Sequence, residues 1–370
     1  MAVLRELKKR HPKAEIRLWC DFGFAPQARS IMSHFDETVV VQTVFSGKVR
    51  RYHHLKWWQH FLIPSVIFPN IRDIFLVGLG LVQSFIKLIL WRPDVVFAKG
   101  GFVCIPVGMA AYLLKIPIVI HDSDSHPGLA NRILARFASA IATGAPLYNY
   151  PYDKRISHYV GVPVSADFKP YGEQERAMVK AELGFTPSRP LVVITGGGQG
   201  SRLINNAVIK RLPSLLEITS ILLLSGTKQY DELRALTPQD DIRFQLRNFI
   251  SEGMPRVLGA ADIVVARAGV TTILELSALA KPTILIPNGQ LTGGHQLKNA
   301  AEYATNGTVE LIDERELEAN PQLFVDTLGT LLVNPVRLKQ MGKAFHEFAK
   351  PNAASDTASI IERVRNKERS

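Results

Sequence analysis

The stretch that decides the fold runs from Asp262 to Asn299 and reads DIVVARAGVTTILELSALAKPTILIPNGQLTGGHQLKN. It begins with an apolar, largely β-branched run, Ile263 to Ala266, which predicts a buried strand. Helical spacing follows from Val270 to Ala280, and a second buried strand is predicted from Thr283 to Pro287. A glycine-rich loop and the head of another helix complete the stretch. This alternation predicts a doubly wound α/β domain.

Two strand-to-helix turns lie close together in this stretch, and each would expose helix N-terminal amides, which bind phosphate groups. Glu275 is an acceptor suited to sugar hydroxyls, and Gln296 can both donate and accept. A phosphate-bearing ligand with hydroxyl groups is therefore indicated, a nucleotide sugar being the natural candidate. The alternative is an ordinary βα unit in which Thr271 caps the helix. A binding site is favoured by the combination of Arg267, Gly269, Thr272, Glu275, His295 and Gln296.

Length and charge set the broad class of the protein. The chain has 370 residues, which suggests two domains, and a net charge of +11, which points to an anionic partner. Nucleic acid, acidic lipid headgroups and a phosphorylated substrate all fit this charge. Two cysteines give no disulfide framework, so a reducing cytoplasm is indicated. The first residues are charged and lack the apolar core of a signal peptide.

A long apolar segment, Ile74 to Trp91, is long enough to be tested as a membrane span. Its weakly polar residues fall on one helical face, which favours a helix packed in a domain or lying on a bilayer over one that crosses it. These residues are Asp73, Gly80, Ser84 and Lys87. Upstream, Tyr52 to His60 mixes aromatic and basic residues. This mixture favours a membrane interface over nucleic acid, with an ordinary solvated face as the alternative.

Two further turns in the first half carry polar or glycine residues. The strand predicted from Asp94 to Ala98 precedes Gly100 and Gly101, so backbone amides can face a phosphate there. The strand Ile116 to Ile120 ends in a cluster at the carboxyl edge of the sheet, where ligands bind in such folds. The cluster consists of His121, Asp122, Asp124 and His126. Its spacing matches no standard zinc pattern, so acid–base or sugar contacts are favoured over a metal.

The pattern restarts at Leu191 with LVVITGGGQGSRLINNAVI, the strand, glycine-rich loop and helix that open a second doubly wound domain. The loop is neither a P-loop nor a GxGxxG fingerprint, because Ser201 stands where the third glycine would be. We expect a first domain at 1–165, a second at 166–350, and a C-terminal helix at 351–370 that packs back on the first. The first domain would begin with a helix, Met1 to Arg10, where a strand is usual. Either that strand is absent or the recorded start lies downstream of the real one.

Several segments follow one another in fixed order: FAKGGFVCIPVGMAAYLLKIPIVIHDSDSHPGLANRILARFA, VGVPV, ITGGGQGSRLIN, ADIVVARAGVTTILELSALAKPTILIP and GGHQLKNA. Together they closely resemble the MurG family of GT-B glycosyltransferases. The resemblance extends from about Pro93 to the end. It implies two Rossmann-like domains facing a cleft. It also implies inverting transfer of N-acetylglucosamine from UDP-GlcNAc to undecaprenyl-pyrophosphoryl-MurNAc-pentapeptide, a step of peptidoglycan synthesis, without metal or cofactor.

The resemblance also implies roles for individual residues. Glu275 is expected on the ribose hydroxyls and Gln296 near the sugar or diphosphate, while the Ile250 backbone would read the uracil. Gly100 and Gly101 match a loop thought to hold the acceptor diphosphate. The full donor set carried over is Asp124, Ser165, Gly198, Ile250, Arg267, Gly269, Val270, Thr271, Thr272, Glu275, His295 and Gln296.

Some positions depart from the family pattern. Where the family usually has HEQN, this chain has His121-Asp122-Ser123-Asp124, so a carboxylate replaces an amide. The usual NPVR ends here in Ser165, which removes an arginine, and the serine of the usual GGSQGA loop is Gly198. The family's first loop, GTGGH, with its proposed catalytic histidine, has no counterpart in residues 1–24. His121 is the one candidate for that role.

Together with the basic charge and the apolar segment, the resemblance implies a peripheral enzyme on the cytoplasmic side of the cell membrane. Its expected partners are UDP-GlcNAc, an undecaprenyl-linked acceptor and an anionic membrane surface, and nucleic acid is not expected. Two alternatives remain open. The chain could bind a UDP-sugar without transferring it, or it could be a GT-B enzyme with another substrate, such as a glycolipid synthase or a UDP-GlcNAc epimerase.

Overall fold

The computed structural model describes residues 1–47, 63–124, 127–197, 200–250, 252–289, 295–305 and 307–367. Contacts within the chain divide it into two compact units. The first unit comprises Met1–Pro163 together with Asn352–Ser370, and the second comprises Val164–Pro351. The basic aromatic stretch Tyr52 to His60 lies outside the described residues.

In the first unit, helices and parallel strands alternate along the chain. The helices are α1 (Ala2–Arg10), α2 (Ala25–Phe35), α3 (Pro64–Trp91), α4 (Cys104–Leu113), α5 (Leu129–Leu134) and α16 (Ala353–Lys367), with a short 3-10 turn at Leu147–Asn149. The strands are β1 (Arg17–Cys20), β2 (Val40–Thr43), β3 (Val96–Ala98), β4 (Ile118–Asp122), β5 (Ala140–Thr143) and β6 (Ser157–Tyr159). They form a two-stranded sheet, β1-β2, and a four-stranded sheet in the order β3-β4-β5-β6.

The second unit is a six-stranded parallel sheet in the order β12-β11-β10-β7-β8-β9. Its strands are β7 (Leu191–Thr195), β8 (Ser220–Leu224), β9 (Phe244–Arg247), β10 (Ile263–Ala266), β11 (Thr283–Leu285) and β12 (Glu310–Leu311). Its helices are α6 (Glu173–Glu182), α7 (Arg202–Lys210), α8 (Leu212–Ile218), α9 (Tyr230–Arg234), α10 (Met254–Ala260), α11 (Val270–Ala278), α12 (His295–Thr305), α13 (Glu314–Ala319), α14 (Gln322–Leu332) and α15 (Pro335–His346).

Strand β10, from the stretch that decides the fold, lies at the centre of this sheet. It pairs in parallel with β7 on one side and β11 on the other, with Val264 opposite Val193 and Thr283. All residues of β7 and β10 are buried, because helices cover both faces of a doubly wound sheet. The sheet order reverses between β7 and β10, so the carboxyl ends of these two strands mark the place where such folds bind ligands.

Helix α3 packs against the first unit through its weakly polar stripe. Asp73 and Ser84 are 2% and 0% exposed, and the Lys87 ammonium donates to the Thr43 carbonyl at 2.8 Å. The predicted stripe is therefore one helical face, and it is the buried one. The opposite face is apolar and exposed: Phe68, Ile71, Ile74, Phe75, Leu79, Val82, Ile86, Ile89 and Leu90. Among the described helices, α3 alone has the length and hydropathy of a membrane span, and only 17% of that window is buried.

The C-terminal helix α16 packs on α1. The Arg10 guanidinium donates to the Glu362 carboxylate at 2.9 Å and to the Ser355 carbonyl at 3.0 Å. His11 Nε2 lies 2.7 Å from the other Glu362 oxygen. Ile360 and Ile361 join Val3 and Val119 in one buried apolar cluster. Both ends of the chain therefore belong to the same unit.

Candidate functional site

Helix α11 begins directly after β10 with an N-terminus that no side chain caps. Its N-cap is Gly269, and the first intrahelical bond runs from the Ile273 amide to the Gly269 carbonyl at 2.9 Å. The interpretation of Thr271 as the N-cap is therefore wrong, because the helix has already begun at Val270 and Thr271 is exposed. The first amides of a helix have no intrahelical acceptor, so this turn presents N–H groups suited to an anion.

Arg267 fixes the turn between β10 and α11. One of its terminal nitrogens donates to the Ile286 carbonyl at 3.0 Å, and the other to Ser201 Oγ at 2.7 Å and to the Glu314 carboxylate at 2.5 Å. The side chains of Arg267 and Glu314 are only 11% and 18% exposed. The guanidinium thus links the ends of β10 and β11 with the starts of α7 and α13, and we infer that its role is to position this edge.

The remaining residues of the stretch are arranged around the same edge. Glu275 lies half-buried on α11, in the turn after Thr272, which is also half-buried. The side-chain carbonyl of Gln296 accepts the Asn288 amide at 2.9 Å, which ties α12 to the segment that follows β11. His295 is the first residue of α12. The roles predicted for Glu275, His295 and Gln296 toward a donor stay predictions.

In the glycine-rich loop between β7 and α7, the backbone angle at Gly200 and its close approach to the end of β8 both require a glycine. Gly200 has a φ of +76°, and a Cβ there would collide with the Ser225 carbonyl. Ser201 then caps α7, its hydroxyl oxygen accepting the Ile204 amide at 3.4 Å. In the sequence, Ser201 stood out only as a departure from a glycine fingerprint. A serine directly before a helical pattern was the signal that could have identified it as the cap. Gly198 lies outside the described residues.

Two donor residues carried over from the resemblance lie elsewhere in the second unit. Ile250 follows β9 and packs half-buried against one of the two apolar clusters of this unit. The Ser165 hydroxyl donates to the Asp167 carboxylate at 2.8 Å, and the Ser165 carbonyl accepts the Phe168 amide. Ser165 therefore stabilises a turn at the start of the unit, and its contact with a donor stays a prediction.

In the first unit, Gly100 and Gly101 form the turn between β3 and α4. Their φ angles are +88° and +90°, which lie in the left-handed region that favours glycine. The Asn131 amide lies 3.0 Å from the place a Cβ of Gly100 would occupy. The turn is followed by α4, whose N-terminus has no side-chain cap. The turn therefore presents backbone N–H groups at the carboxyl end of β3, as its predicted role in holding the acceptor diphosphate requires.

His121 is buried at the carboxyl end of β4 and both ring nitrogens are engaged. Nε2 lies 2.9 Å from the Gly161 carbonyl and must carry the proton, so Nδ1 accepts from Ser123 Oγ at 3.1 Å. Burial lowers the pKa of His121 to about 4. The imidazole is neutral near pH 7 and 0% exposed, so direct contact with a substrate hydroxyl needs a rearrangement. Its catalytic role stays a prediction that this geometry does not favour.

The next residue, Asp122, has the titration behaviour of an acid–base group. Burial raises the pKa of Asp122 to about 6, although hydrogen bonds from Tyr152 and Asn131 act in the opposite direction. The Tyr152 hydroxyl donates to Asp122 Oδ2 at 2.7 Å, and the Asn131 side-chain amide donates to the His121 carbonyl at 3.4 Å. Asp122 belongs to the His/Asp cluster seen in the sequence, but nothing there distinguished it from its neighbours, and nothing local in the sequence placed Tyr152 beside it.

Asp124 is exposed, and its backbone carbonyl accepts the Tyr150 hydroxyl at 2.6 Å. His126 lies outside the described residues, so the structure describes only part of the predicted His/Asp cluster. Within the described part of the chain, no group of three or more His, Cys, Asp or Glu side chains is placed to hold a metal ion.

Comparison with known proteins places this geometry in a family. Residues 191–357 match the family model of the glycosyltransferase family 28 C-terminal domain, and residues 59–143 match the N-terminal domain of the same family. A Bacillus anthracis protein is 33% identical over 287 residues, which are 77% of this chain and 75% of that protein. It is named UDP-N-acetylglucosamine--N-acetylmuramyl-(pentapeptide) pyrophosphoryl-undecaprenol N-acetylglucosamine transferase 2. The chain belongs to the MurG family.

Solved structures agree with this family at the level of the fold. The crystal structure of Acinetobacter baumannii MurG superposes with a TM-score of 0.69 at 21% identity, covering 98% of this chain and 94% of that one. The predicted GT-B class is confirmed. The Neisseria meningitidis UDP-GlcNAc 2-epimerase bound to UDP-GlcNAc superposes with a TM-score of 0.65 at 13% identity, covering 98% and 95%. At such identities the likeness shows a shared fold alone.

Proposed function

We propose that this MurG-family chain transfers N-acetylglucosamine from UDP-GlcNAc to an undecaprenyl-linked MurNAc-pentapeptide, with inversion, in peptidoglycan synthesis. Within the structure, the observation that carries the proposal is the uncapped N-terminus of α11 directly behind the Arg267 anchor. This arrangement gives a rigid set of amides for a diphosphate, with a carboxylate, Glu275, in the next turn for sugar hydroxyls.

On the donor side, the departing UDP needs its growing negative charge stabilised. Fixed amides at a helix N-terminus do this without reorganisation, because they already point at the developing charge. In the second unit, the amides of Val270, Thr271 and Thr272 on α11 are suited to that role. We further propose that Glu275 binds the ribose and that the backbone at Ile250 reads the uracil.

On the acceptor side, a base must take the proton of the attacking hydroxyl. We propose Asp122 for this role in place of His121, because a carboxylate with a pKa of about 6 is ionised near pH 7 and still basic. Asp122 is only 2% exposed, so it shares with His121 the need for a rearrangement before it contacts a substrate hydroxyl, and its pKa is what distinguishes it. Asp122 lies at the carboxyl end of β4, and Asn131 connects this strand end with the Gly100 turn. That turn would hold the acceptor diphosphate with its backbone amides.

The function is tested by incubating the chain with radiolabelled UDP-GlcNAc and a lipid-linked MurNAc-pentapeptide analogue. Incorporation of label into the lipid fraction is the expected result. Calorimetric binding of UDP-GlcNAc without incorporation would support the alternative of a donor-binding chain. Conversion of UDP-GlcNAc in the absence of any acceptor would instead identify an epimerase, since an epimerase needs no second substrate.

Replacing Glu275 with alanine is expected to weaken UDP-GlcNAc binding by roughly 10–150-fold. The reason is the loss of charge-assisted hydrogen bonds to the ribose, worth about 1.5–3 kcal/mol. Titration calorimetry measures the change, and Glu318→Ala, which removes an exposed carboxylate from α13, is the matched control. Equal affinity of Glu275→Ala and Glu318→Ala would show that the ribose lies elsewhere.

We also propose that the chain binds the cytoplasmic membrane surface through the exposed apolar face of α3. The helix presents this face to solvent while its polar stripe is buried, which is the reverse of an ordinary surface helix. Exposed apolar patches of this extent are typical of interaction or membrane surfaces. The net charge of +11 would add attraction to anionic lipids.

The double variant Phe75→Glu, Val82→Glu is expected to lower partition onto vesicles containing phosphatidylglycerol by at least about tenfold. Both side chains are exposed on the apolar face, at 66% and 59%, and charged groups there oppose insertion. Vesicle co-sedimentation measures the effect. The control is Leu236→Glu, an equally exposed leucine of the second unit at 64%. Unchanged partition of the double variant would show that the apolar face of α3 does not bind the membrane.

A further inference from the structure

Three phenylalanine side chains are exposed in the first unit where β1 and β2 end. Phe22 and Phe24 follow β1, and Phe45 follows β2. They are 52%, 44% and 38% exposed. The rings of Phe22 and Phe45 contact each other, with their centroids 5.0 Å apart and an angle of 44° between the planes. Each ring keeps a large part of its apolar surface in water, so the pair offers that surface to an apolar ligand.

The turn after β1 fixes the backbone on both sides of Phe22. The Asp21 carboxylate accepts the Gly23 amide at 2.8 Å and the Phe24 amide at 3.0 Å. The Ala25 amide donates to the Asp21 carbonyl at 3.1 Å, which leads the turn into α2. A ring carried on a turn that is already ordered costs less conformational entropy when a ligand covers it.

Phe45 lies against α3, beside the apolar face that this helix exposes. The Phe45 amide donates to the Gln83 side-chain carbonyl at 2.9 Å, and a Cβ at Gly80 would collide with the Phe45 carbonyl. Leu79 and Ile86 are 41% and 53% exposed. They lie four residues before and three residues after Gln83, so they are its neighbours on the helix surface. The aromatic pair therefore continues the apolar face of α3 toward the ends of β1 and β2.

On the other side, the phenylalanines border the turn for which we propose the acceptor diphosphate. Phe24 lines one cavity together with Gly100 and Phe102, so the turns after β1 and β3 lie at one edge of the first unit. Lys99 directly precedes this glycine turn. Burial and the charge of Lys99 lower the pKa of His121. A cationic group beside the turn is complementary to a diphosphate.

We propose that the Phe22–Phe45 pair binds the first isoprene units of the lipid-linked acceptor, on the path from the Gly100 turn to the membrane face of α3. This inference rests on the proposed function. In such an acceptor the prenyl chain is bonded directly to the diphosphate, so a diphosphate at the turn brings the first isoprene units beside it. Their exposure to water on the way to the bilayer is unfavourable in proportion to their apolar area, and the two rings reduce it. The sugar and peptide of the acceptor are polar and fit this surface less well.

Two prenyl diphosphates test this subsite without donor and without transfer. Geranylgeranyl diphosphate carries four isoprene units and dimethylallyl diphosphate carries one, on the same charged group. We expect the unmodified chain to bind the longer compound at least about tenfold more tightly, as measured by titration calorimetry below the concentration at which micelles form. In the double variant Phe22→Ser, Phe45→Ser this advantage should fall to about threefold or less, because serine removes the apolar surface.

The matched control is the double variant Leu236→Ser, Ile242→Ser. It removes two apolar side chains of the second unit that are 64% and 69% exposed, and it should keep the full advantage of the longer compound. Equal affinity of the unmodified chain for both compounds would overturn the proposal. So would an advantage that survives in the phenylalanine variant, or one that is lost equally in the control.

Photolabelling gives a second readout that needs no variant. A geranylgeranyl diphosphate analogue with a diazirine on its second isoprene unit should label the peptides that contain Phe22 and Phe45. Labelling confined to residues 64–91 would show that the chain lies on α3 instead and would overturn the proposal. Both readouts are independent of catalysis. A chain that gives the expected binding and labelling but transfers no N-acetylglucosamine would therefore contradict the proposed function while supporting a prenyl subsite.

Discussion

Asp122→Asn is expected to stabilise the fold at pH 7.5 and to lower the transfer rate roughly 10²–10⁴-fold. The rate falls because an amide cannot accept the proton of the acceptor hydroxyl. Burial raises the pKa of Asp122 from an ordinary 3.8 to about 6. Between these values the folded state binds the proton more tightly than the unfolded state, so the stability contributed by Asp122 is lost as pH rises through this window. The neutral amide avoids that loss, which is roughly 1–3 kcal/mol.

Urea denaturation at pH 7.5 and at pH 4.0 measures the stability change, which should be present at the higher pH and small at the lower. His121 titrates in the opposite sense, since burial lowers its pKa to about 4, but the variant leaves that contribution unchanged. A stabilised variant with full transfer activity would mean that Asp122 is a structural acid. An equally destabilised variant at both pH values would mean that the carboxylate is needed for packing.

Tyr152→Phe separates the catalytic role from the structural one. The Tyr152 hydroxyl donates to Asp122 and lowers its pKa, so its removal should move the acid limb of the pH–rate profile to higher pH while the limiting rate is kept. A structural role alone would not shift that limb.

Arg267→Met should reduce the free energy of unfolding by roughly 3–5 kcal/mol and abolish measurable UDP-GlcNAc binding. Removing one partner of this largely buried ion pair leaves the Glu314 charge without its partner. The Ser201 hydroxyl and the Ile286 carbonyl also lose their donor. Without this network, the Ser201 cap of α7 and the turn before α11 are no longer held together at the carboxyl edge of the sheet. Donor binding is therefore lost together with stability.

The matched control for this variant is Arg337→Met. Arg337 donates to Glu310 at 2.6 Å, but this pair is 45% and 33% exposed. Exposed pairs contribute about 0–1 kcal/mol, so the control should change stability little. Equal losses in the two variants would show that the Arg267 network is not the anchor of the donor edge. If Arg267→Met is destabilised but still binds UDP-GlcNAc fully, the Arg267 network supports the fold and is not needed for donor binding.

The fold of the second unit was predictable because its signals are local. The run Ile263 to Ala266, the glycine before α11 and the loop after β7 each lie within a few residues of the element that they determine. The Arg267 network was not predictable in this way, since its partners lie 66 and 47 residues away in the chain. Sequence pattern gave Arg267 a ligand role, while the structure shows its donors engaged with protein acceptors.

Two features of the first unit show the limits of periodicity. The spacing of Asp73, Ser84 and Lys87 predicted one helical face correctly, but spacing does not say which face meets the protein. That depends on partners in other elements, such as the Thr43 carbonyl that accepts from Lys87. Likewise, the position of His121 at a strand end suggested access to substrate. Because β4 is buried over its full length, the side chain lies in the interior instead.

The pairing of α1 with α16 determines how the chain responds to mechanical load. Arg10 and Glu362 join segments about 350 positions apart, so both ends of the chain are held in the first unit. A tensile force applied across the two ends would act first on this contact and would strip α16 from α1. The second unit would bear load only after that separation. In an optical-trap experiment, the Glu362→Ala variant should therefore lower the force of the earliest rupture and leave the later one unchanged.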